Sequence, residues 1–135
     1  TIVIQPGADY FFQDNISVGG LVGYESTKAG VGDAKSSAIS IGPRLGYNAA
    51  VAEKLSVWPR VGVLYRSLSI DAGGGSKSGS SMSLELNVPL LVHVATHFDV
   101  GIGPFYRTDL SSKYDGADSN KDTTYGLATE VGGWF

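Results

Sequence analysis

Cysteine is absent from this chain of 135 residues, which removes disulfide frameworks, thiolate metal sites and cysteine nucleophiles together. A basic block is absent as well. Ten basic side chains stand against thirteen acidic ones, so no stripe for phosphate contacts can be assembled, and nucleic acid is excluded as a partner. Long apolar runs are also missing. The longest, Val88 to Ala95, is interrupted by His93 and falls far short of the roughly 18 residues that a membrane helix needs. Nor does the N-terminus carry a basic segment, an apolar core and a small-residue cleavage site, so the sequence reads as mature or truncated. The length suits one domain, residues 1–135.

What the chain does have is alternation. From Ser81 to Ala95, Met82, Leu84, Leu86, Val88, Leu90, Val92 and Val94 take every second place, the period of a strand with one apolar face. In Leu55 to Ile70 the residues Leu55, Val57, Pro59, Val61, Val63 and Tyr65 oppose Trp58, Arg60, Gly62, Leu64 and Arg66. Ile39 to Asn48 sets Ile39, Ile41, Pro43, Leu45 and Tyr47 against Ser40, Gly42, Arg44, Gly46 and Asn48. Four further segments, Ile2 to Phe12, Ile16 to Ser26, Phe98 to Asp109 and Thr123 to Phe135, follow the rule more loosely and are rich in β-branched and aromatic residues. Gly or Pro interrupts every window that could form a helix. The fold class is therefore all-β, with seven strands visible.

The connections alternate in length. Gln13 to Asn15, Ala49 to Lys54 and Thr96-His97 are short, while Thr27 to Ser37, Asp71 to Ser80 and Leu110 to Asp122 are long and built from Gly, Ser, Asp, Lys and Asn. Up-and-down membrane barrels show this pattern, with tight turns at one end and long external loops at the other.

The position of the charges separates a membrane barrel from a soluble one, because lipid cannot hydrate a polar outer face. Glu25, Arg44, Arg60, Arg66, Glu85, Arg107 and Glu130 all fall opposite the aliphatic set, among Gly, Ser and Asn. Small residues with a few paired charges suit a narrow lumen. The alternative is a soluble sandwich or lipocalin-like barrel with those charges in water. Against it, such a barrel would expose a glycine-rich charged face without reason. Aromatics add two bands: Tyr10, Phe11, Phe12, Tyr47, Trp58, Phe98, Trp134 and Phe135 near the short turns, and Tyr24, Tyr65, Tyr106 and Tyr125 near the long loops. A separation of about nine residues of strand matches a hydrophobic belt.

The last segment, Thr123-Thr-Tyr-Gly-Leu-Ala-Thr-Glu-Val-Gly-Gly-Trp-Phe135, resembles the C-terminal assembly signal of bacterial outer-membrane barrels, departing from it at Gly133, where a large apolar residue is usual. The run Gln5-Pro-Gly-Ala-Asp-Tyr-Phe-Phe-Gln-Asp-Asn-Ile-Ser-Val-Gly-Gly is similar to the first hairpin of the OmpA/OmpX-type eight-stranded domains. The resemblance implies an antiparallel transmembrane β-barrel in the bacterial outer membrane, outer-membrane lipid around it, and the barrel assembly machinery as a partner that reads Phe135. It also implies a mismatch. With Phe135 at the periplasmic end, Ile2 to Phe12 descends, whereas eight-stranded barrels begin with an ascending strand. An even count is required for antiparallel closure, so about 10 to 20 residues forming a first strand are expected before Thr1, or a strand from a protein partner at the open edge.

Other constellations carry less. His93 and His97 lie on a strand and a turn and cannot share a helix face, so no zinc pair is expected. His93 with Glu85, Ser83 and Ser40 resembles the triad of outer-membrane lipid A deacylases, but those enzymes hold it on the lipid side and His93 is expected in the lumen. Asp115, Asp118, Asn120 and Asp122 miss the calcium-loop spacing. No metal, cofactor or catalytic residue is therefore expected. The leading expectation is a structural or interaction protein with a plugged lumen and three external loops. A narrow channel for water, ions or small solutes comes second, and a lipid-modifying enzyme third.

Overall fold

A computed structural model of the chain describes residues 2–28, 35–72, 75–114, 117–118 and 120–133. All regular structure among them is antiparallel strand: β1 (Ile2–Ile4), β2 (Gly7–Phe11), β3 (Ile16–Lys28), β4 (Lys35–Tyr47), β5 (Ala49–Ala52), β6 (Leu55–Val57), β7 (Arg60–Ala72), β8 (Gly75–Asn87), β9 (Leu90–Ala95), β10 (Phe98–Tyr114), β11 (Ala117–Asp118) and β12 (Thr123–Gly133). They form one sheet in which each long strand pairs with its neighbour in sequence, β3 with β4, β4 with β7, β7 with β8, β8 with β10 and β10 with β12. This is an up-and-down meander. No helix among the described residues is long and apolar enough to cross a membrane.

Twelve segments replace the seven strands expected, and proline is the main cause. Pro6 separates β1 from β2, Pro59 separates β6 from β7, and Pro89 separates β8 from β9, because proline has no N–H to offer the ladder. Its carbonyl still accepts. Val22 N–H donates to Pro6 O (2.9 Å), Tyr47 N–H to Pro59 O (3.0 Å) and Trp58 N–H to Pro89 O (3.0 Å), so each leg continues through its break with one bond lost.

The serine-rich connections also differ from expectation. Of the stretches read as long loops, Thr27–Lys28 and Lys35–Ser37, Asp71–Ala72 and Gly75–Ser80, and Leu110–Tyr114 belong to strands. Their ladder runs on to Lys28↔Lys35, Ala72↔Gly75 and Tyr114↔Gly79. Backbone pairing needs no apolar side chain, so a hairpin can continue into water on polar residues. At the opposite end, Ala49 to Lys54 is not a plain turn but contains β5, which pairs with β6.

The faces follow the alternation. Ile39, Ile41, Leu45, Val61, Val63, Leu86, Leu90 and Val92 are exposed on the outside, whereas Ser17, Ser40, Ser83, Glu85 and Arg60 are buried within. Leu21, Ala38, Leu64 and Leu91 also point inward and are buried, so the interior is mixed rather than wholly polar. Glycine allows the inner surfaces to approach. A Cβ on Gly42 would lie 1.9 Å from the Val63 carbonyl oxygen, and one on Gly103 would lie 2.2 Å from that of Val88.

Candidate functional site: the charged lumen

Four arginines point into the lumen, and each meets a carboxylate. Arg107, opposite Glu85 in the β8–β10 ladder, donates from Nη2 and Nε to Glu85 Oε2 at 2.6 and 3.0 Å. Arg66 on β7 reaches over β4 to Glu25 on β3, Nη2 to Oε2 at 2.7 Å. Arg60 on β7 pairs with Glu130 on β12, three strands away. Arg44 on β4 crosses β3 to Asp9 on β2, with Nε donating to Oδ1 at 2.9 Å and Nη2 to Oδ2. Gln5, in the break between β1 and β2, adds an amide 3.4 Å from Glu85, so the first leg touches the middle of the sheet from the opposite side.

For Arg44 and Asp9, an inward glycine explains how a pair can form between strands that are not neighbours. Asp9, Gly19 and Arg44 stand in one row across β2, β3 and β4, and a Cβ on Gly19 would come within 2.5 Å of Asp9 Oδ1. Gly7 leaves room for the Arg44 guanidinium, and Gly101 leaves room for the Glu130 chain. A charged side chain that lies flat over a glycine reaches the second strand. Over a larger residue it would have to rise into the lumen.

Two rings meet at the short-turn end of the lumen. Phe11 and Trp58 pack with centroids 5.4 Å apart, the Arg60 guanidinium lies 4.5 Å from the Trp58 ring centre, and Trp58 Nε1 donates to Ser17 Oγ at 3.3 Å. Both aromatics therefore belong to the lumen floor, which corrects their assignment to the interfacial band. Trp58 precedes Pro59 and shares parity with Arg60, so its inward direction was readable, whereas Phe11 was hidden among three consecutive aromatics. Beside them Ser56 Oγ lies 3.0 Å from His93 Nε2, and Asp99 stands opposite His93 in the ladder. Ser56 and Asp99 are buried.

Of the residues singled out in the sequence, Glu25, Arg44, Arg60, Arg66, Glu85, Arg107 and Glu130 are all brought inside, and the three glutamates each meet an arginine. Asp9 was missed, although its parity with Gln5 and Gly7 places it on the inner face. His93, Glu85, Ser83 and Ser40 do not come together as one group: His93 contacts Ser56, Glu85 is engaged by Arg107, and Ser83 donates to Asp109 at 2.6 Å. Phe135 lies outside the described residues, as do Trp134 and Asp115.

Above the floor remains a cavity of about 940 Å³, bounded by Arg60 and Glu130 below and by Asp109 and Asp122 toward the outer end. Its wall includes Val3 and Ile4 from one margin of the sheet and Leu127 and Val131 from the other.

Apolar outer faces, inward charges paired across a narrow interior and a meander with in-sequence neighbours are what a lipid-embedded barrel requires. No curated protein and no solved structure matches the chain. A family model described as "Outer membrane protein beta-barrel domain" matches residues 2–133, nearly the whole sequence. The chain belongs to that family, and is an integral β-barrel protein of the bacterial outer membrane.

Proposed function

We propose that the barrel is a closed structural or interaction protein, which does not conduct and acts through the hairpins it raises beyond the outer leaflet. The observation that carries this reading is the engagement of all four lumen arginines by carboxylates. An ion crossing the interior would have to pass among these pairs, whose charges are already compensated and which hold their side chains across the lumen. The strand lengths support the second half of the reading. A membrane strand needs about 9–11 residues, and β10 has 17, so the Ser111–Lys113 end and the facing Ser80–Met82 stretch stand clear of the hydrocarbon. Phe135 serves, on this proposal, as the signal by which the assembly machinery inserts the chain. No catalytic role is proposed.

Planar bilayers test the plug. The protein extracted from outer membranes gives no current steps, and replacing Trp58 and Arg60 together by alanine opens small ones. Steady conductance by the unaltered protein would sink the reading. It would then favour the second one, a narrow channel for water, ions or small solutes, for which the 940 Å³ cavity is the supporting observation.

A further inference from the structure

One level of the lumen is built differently from the others. Arg60, Asn87, Phe105 and Gly126 stand in a single inward row across β7, β8, β10 and β12. Arg60 is 6% exposed, and its Nη2 is taken by Glu130. Its Nε has no hydrogen-bond partner among the described residues, and neither has Oδ1 of Asn87, the residue opposite Arg60 in the ladder. A buried donor and a buried acceptor are thus left on neighbouring side chains, and each unmade bond costs free energy that a suitable ligand recovers.

Beside them is a ring. Phe105 leans over Gly126, where a Cβ would stand 3.0 Å from Cε1 and 3.6 Å from Cζ of the ring. The glycine leaves the ring room along the wall, and Phe105 lines the 940 Å³ cavity together with Arg60, Asn87 and Ala128. Lipid lies on the other side of the sheet, so this phenyl group meets whatever occupies the lumen.

We propose that this level of the cavity binds a neutral sugar, with one carbon–hydrogen face of the sugar ring on Phe105 and its hydroxyls on Arg60 and Asn87. The chemistry of the ligand follows from what it must satisfy. A hydroxyl is donor and acceptor at once, so it accepts from Arg60 Nε–H and donates to Asn87 Oδ1 once the Asn87 amide turns toward the cavity. A purely apolar solute would leave both atoms unpaired. The C–H groups of a sugar ring carry partial positive charge, which suits the negative face of the phenyl ring.

Neutrality follows from the ion pairs. Each of the four lumen arginines is engaged by a carboxylate, so an anion would have to displace one of them. Asp109 and Asp122, toward the outer end of the cavity, also repel it. A cation would meet the Arg60 guanidinium. The volume fits a small molecule, since sites of that kind run from about 300 to 1,000 Å³ and combine apolar walls with a few placed polar groups. Entry is from the outer end, because Phe11 and Trp58 meet at the other.

Saturation-transfer NMR on the protein in lipid nanodiscs tests this, with glucose, galactose and mannose as probes and glucuronate and glucosamine as charged controls. Irradiating the aromatic protons should pass magnetisation to the ring protons of at least one neutral sugar, and less to either control. Asn87→Leu is close in size and lacks the amide, so it should weaken binding about tenfold, as expected for the loss of one or two hydrogen bonds. Phe105→Leu should weaken it as well, and Phe105→Tyr should retain it. Circular dichroism checks that each variant keeps its β signal. No transfer to any of the three neutral sugars overturns the proposal, since the two atoms are then served by water alone. So does transfer unchanged in Asn87→Leu or in Phe105→Leu, which puts the sugar elsewhere on the protein, or glucuronate binding as tightly as glucose. The inference does not depend on the plug, because binding is read without current and a conducting barrel gives the same result.

Discussion

The wall from β3 to β10 and the margins β1/β2 and β12 share one pattern of alternation, yet they are held very differently. Outward residues in the wall are partly shielded by neighbours on both sides, from Val63 (39% exposed) and Val61 (40%) to Ile39 (58%). On the margins the same kind of residue stands nearly bare: Tyr125 is 79% exposed, Leu127 72%, Val131 71% and Ile2 65%. The side chains obey the lipid in both regions. The difference lies in the backbone, which is paired on two sides in the wall and on one side at the margins. Alternation therefore fixes which way a strand faces, but says nothing about whether its edge is covered.

The largest effect that would break the comparison is a charge placed in the belt. Ile102 lies midway between Phe98 and Tyr106 on β10 and points outward. Ile102→Arg should cost about 2–4 kcal/mol, the penalty for arginine near the bilayer midplane, read as a shift in the urea midpoint of tryptophan fluorescence in liposomes. Leu127→Arg, on the margin, should cost nearly as much if that edge is kept from water as well. A cost below about 1 kcal/mol, the value typical of the interface, would show that water reaches it. A cost that small at Ile102 as well would remove the lipid-facing assignment of the wall itself.

The next effect concerns the lumen pairs. Asp9→Ala leaves the Arg44 guanidinium inside without its carboxylate, and Asp9 is the only acid that contacts it among the described residues. A loss of about 2–3 kcal/mol is expected, the range for a hydrogen bond to a charged group with its partner left behind. Gly19→Leu should produce a similar loss without removing either charge, because its side chain occupies the path over which Asp9 and Arg44 meet. If Gly19→Leu is neutral while Asp9→Ala is not, the glycine row is not what lets the pair form.

These cases show what the sequence made legible. Parity assigned the outer face and all seven lumen charges, because a side chain in a strand has only two directions. It could not assign partners. Arg44 was free to meet any of three glutamates by parity, and meets Asp9 because register and Gly19 align the three strands. The ends of strands were misjudged for a different reason. Ser76 to Ser80 lacks apolar alternation, and so a paired hairpin there resembles a loop. Pro6, Pro59 and Pro89 fall inside segments that alternation marks as single strands, yet each marks a break that its own carbonyl bridges. The shared direction of the two margins, by contrast, was legible from counting strand directions alone.

The smallest expected effect tests how firmly the margin is held at its outer end. β12 begins at Thr123, whose Oγ1 lies 3.1 Å from Oγ1 of Thr108, its partner in the β10 ladder. Both hydroxyls are near water, and such cross-strand threonine pairs contribute about 0.2–1 kcal/mol. Thr108→Val keeps the branched shape and removes the bond, so the global unfolding midpoint should move by no more than about 0.5 kcal/mol, within the range of ordinary surface substitutions. Local exchange at Thr123 to Tyr125 should respond more, because a strand paired on one side frays where its last cross-link is cut. The outcome separates two accounts of the margin. If exchange rises at Thr123 to Tyr125 but not at the outer end of the wall in a matching substitution, β12 is anchored from β10 alone at that level. If neither site responds, the outer end of β12 is held by more than β10, and the protection seen there comes from its other side.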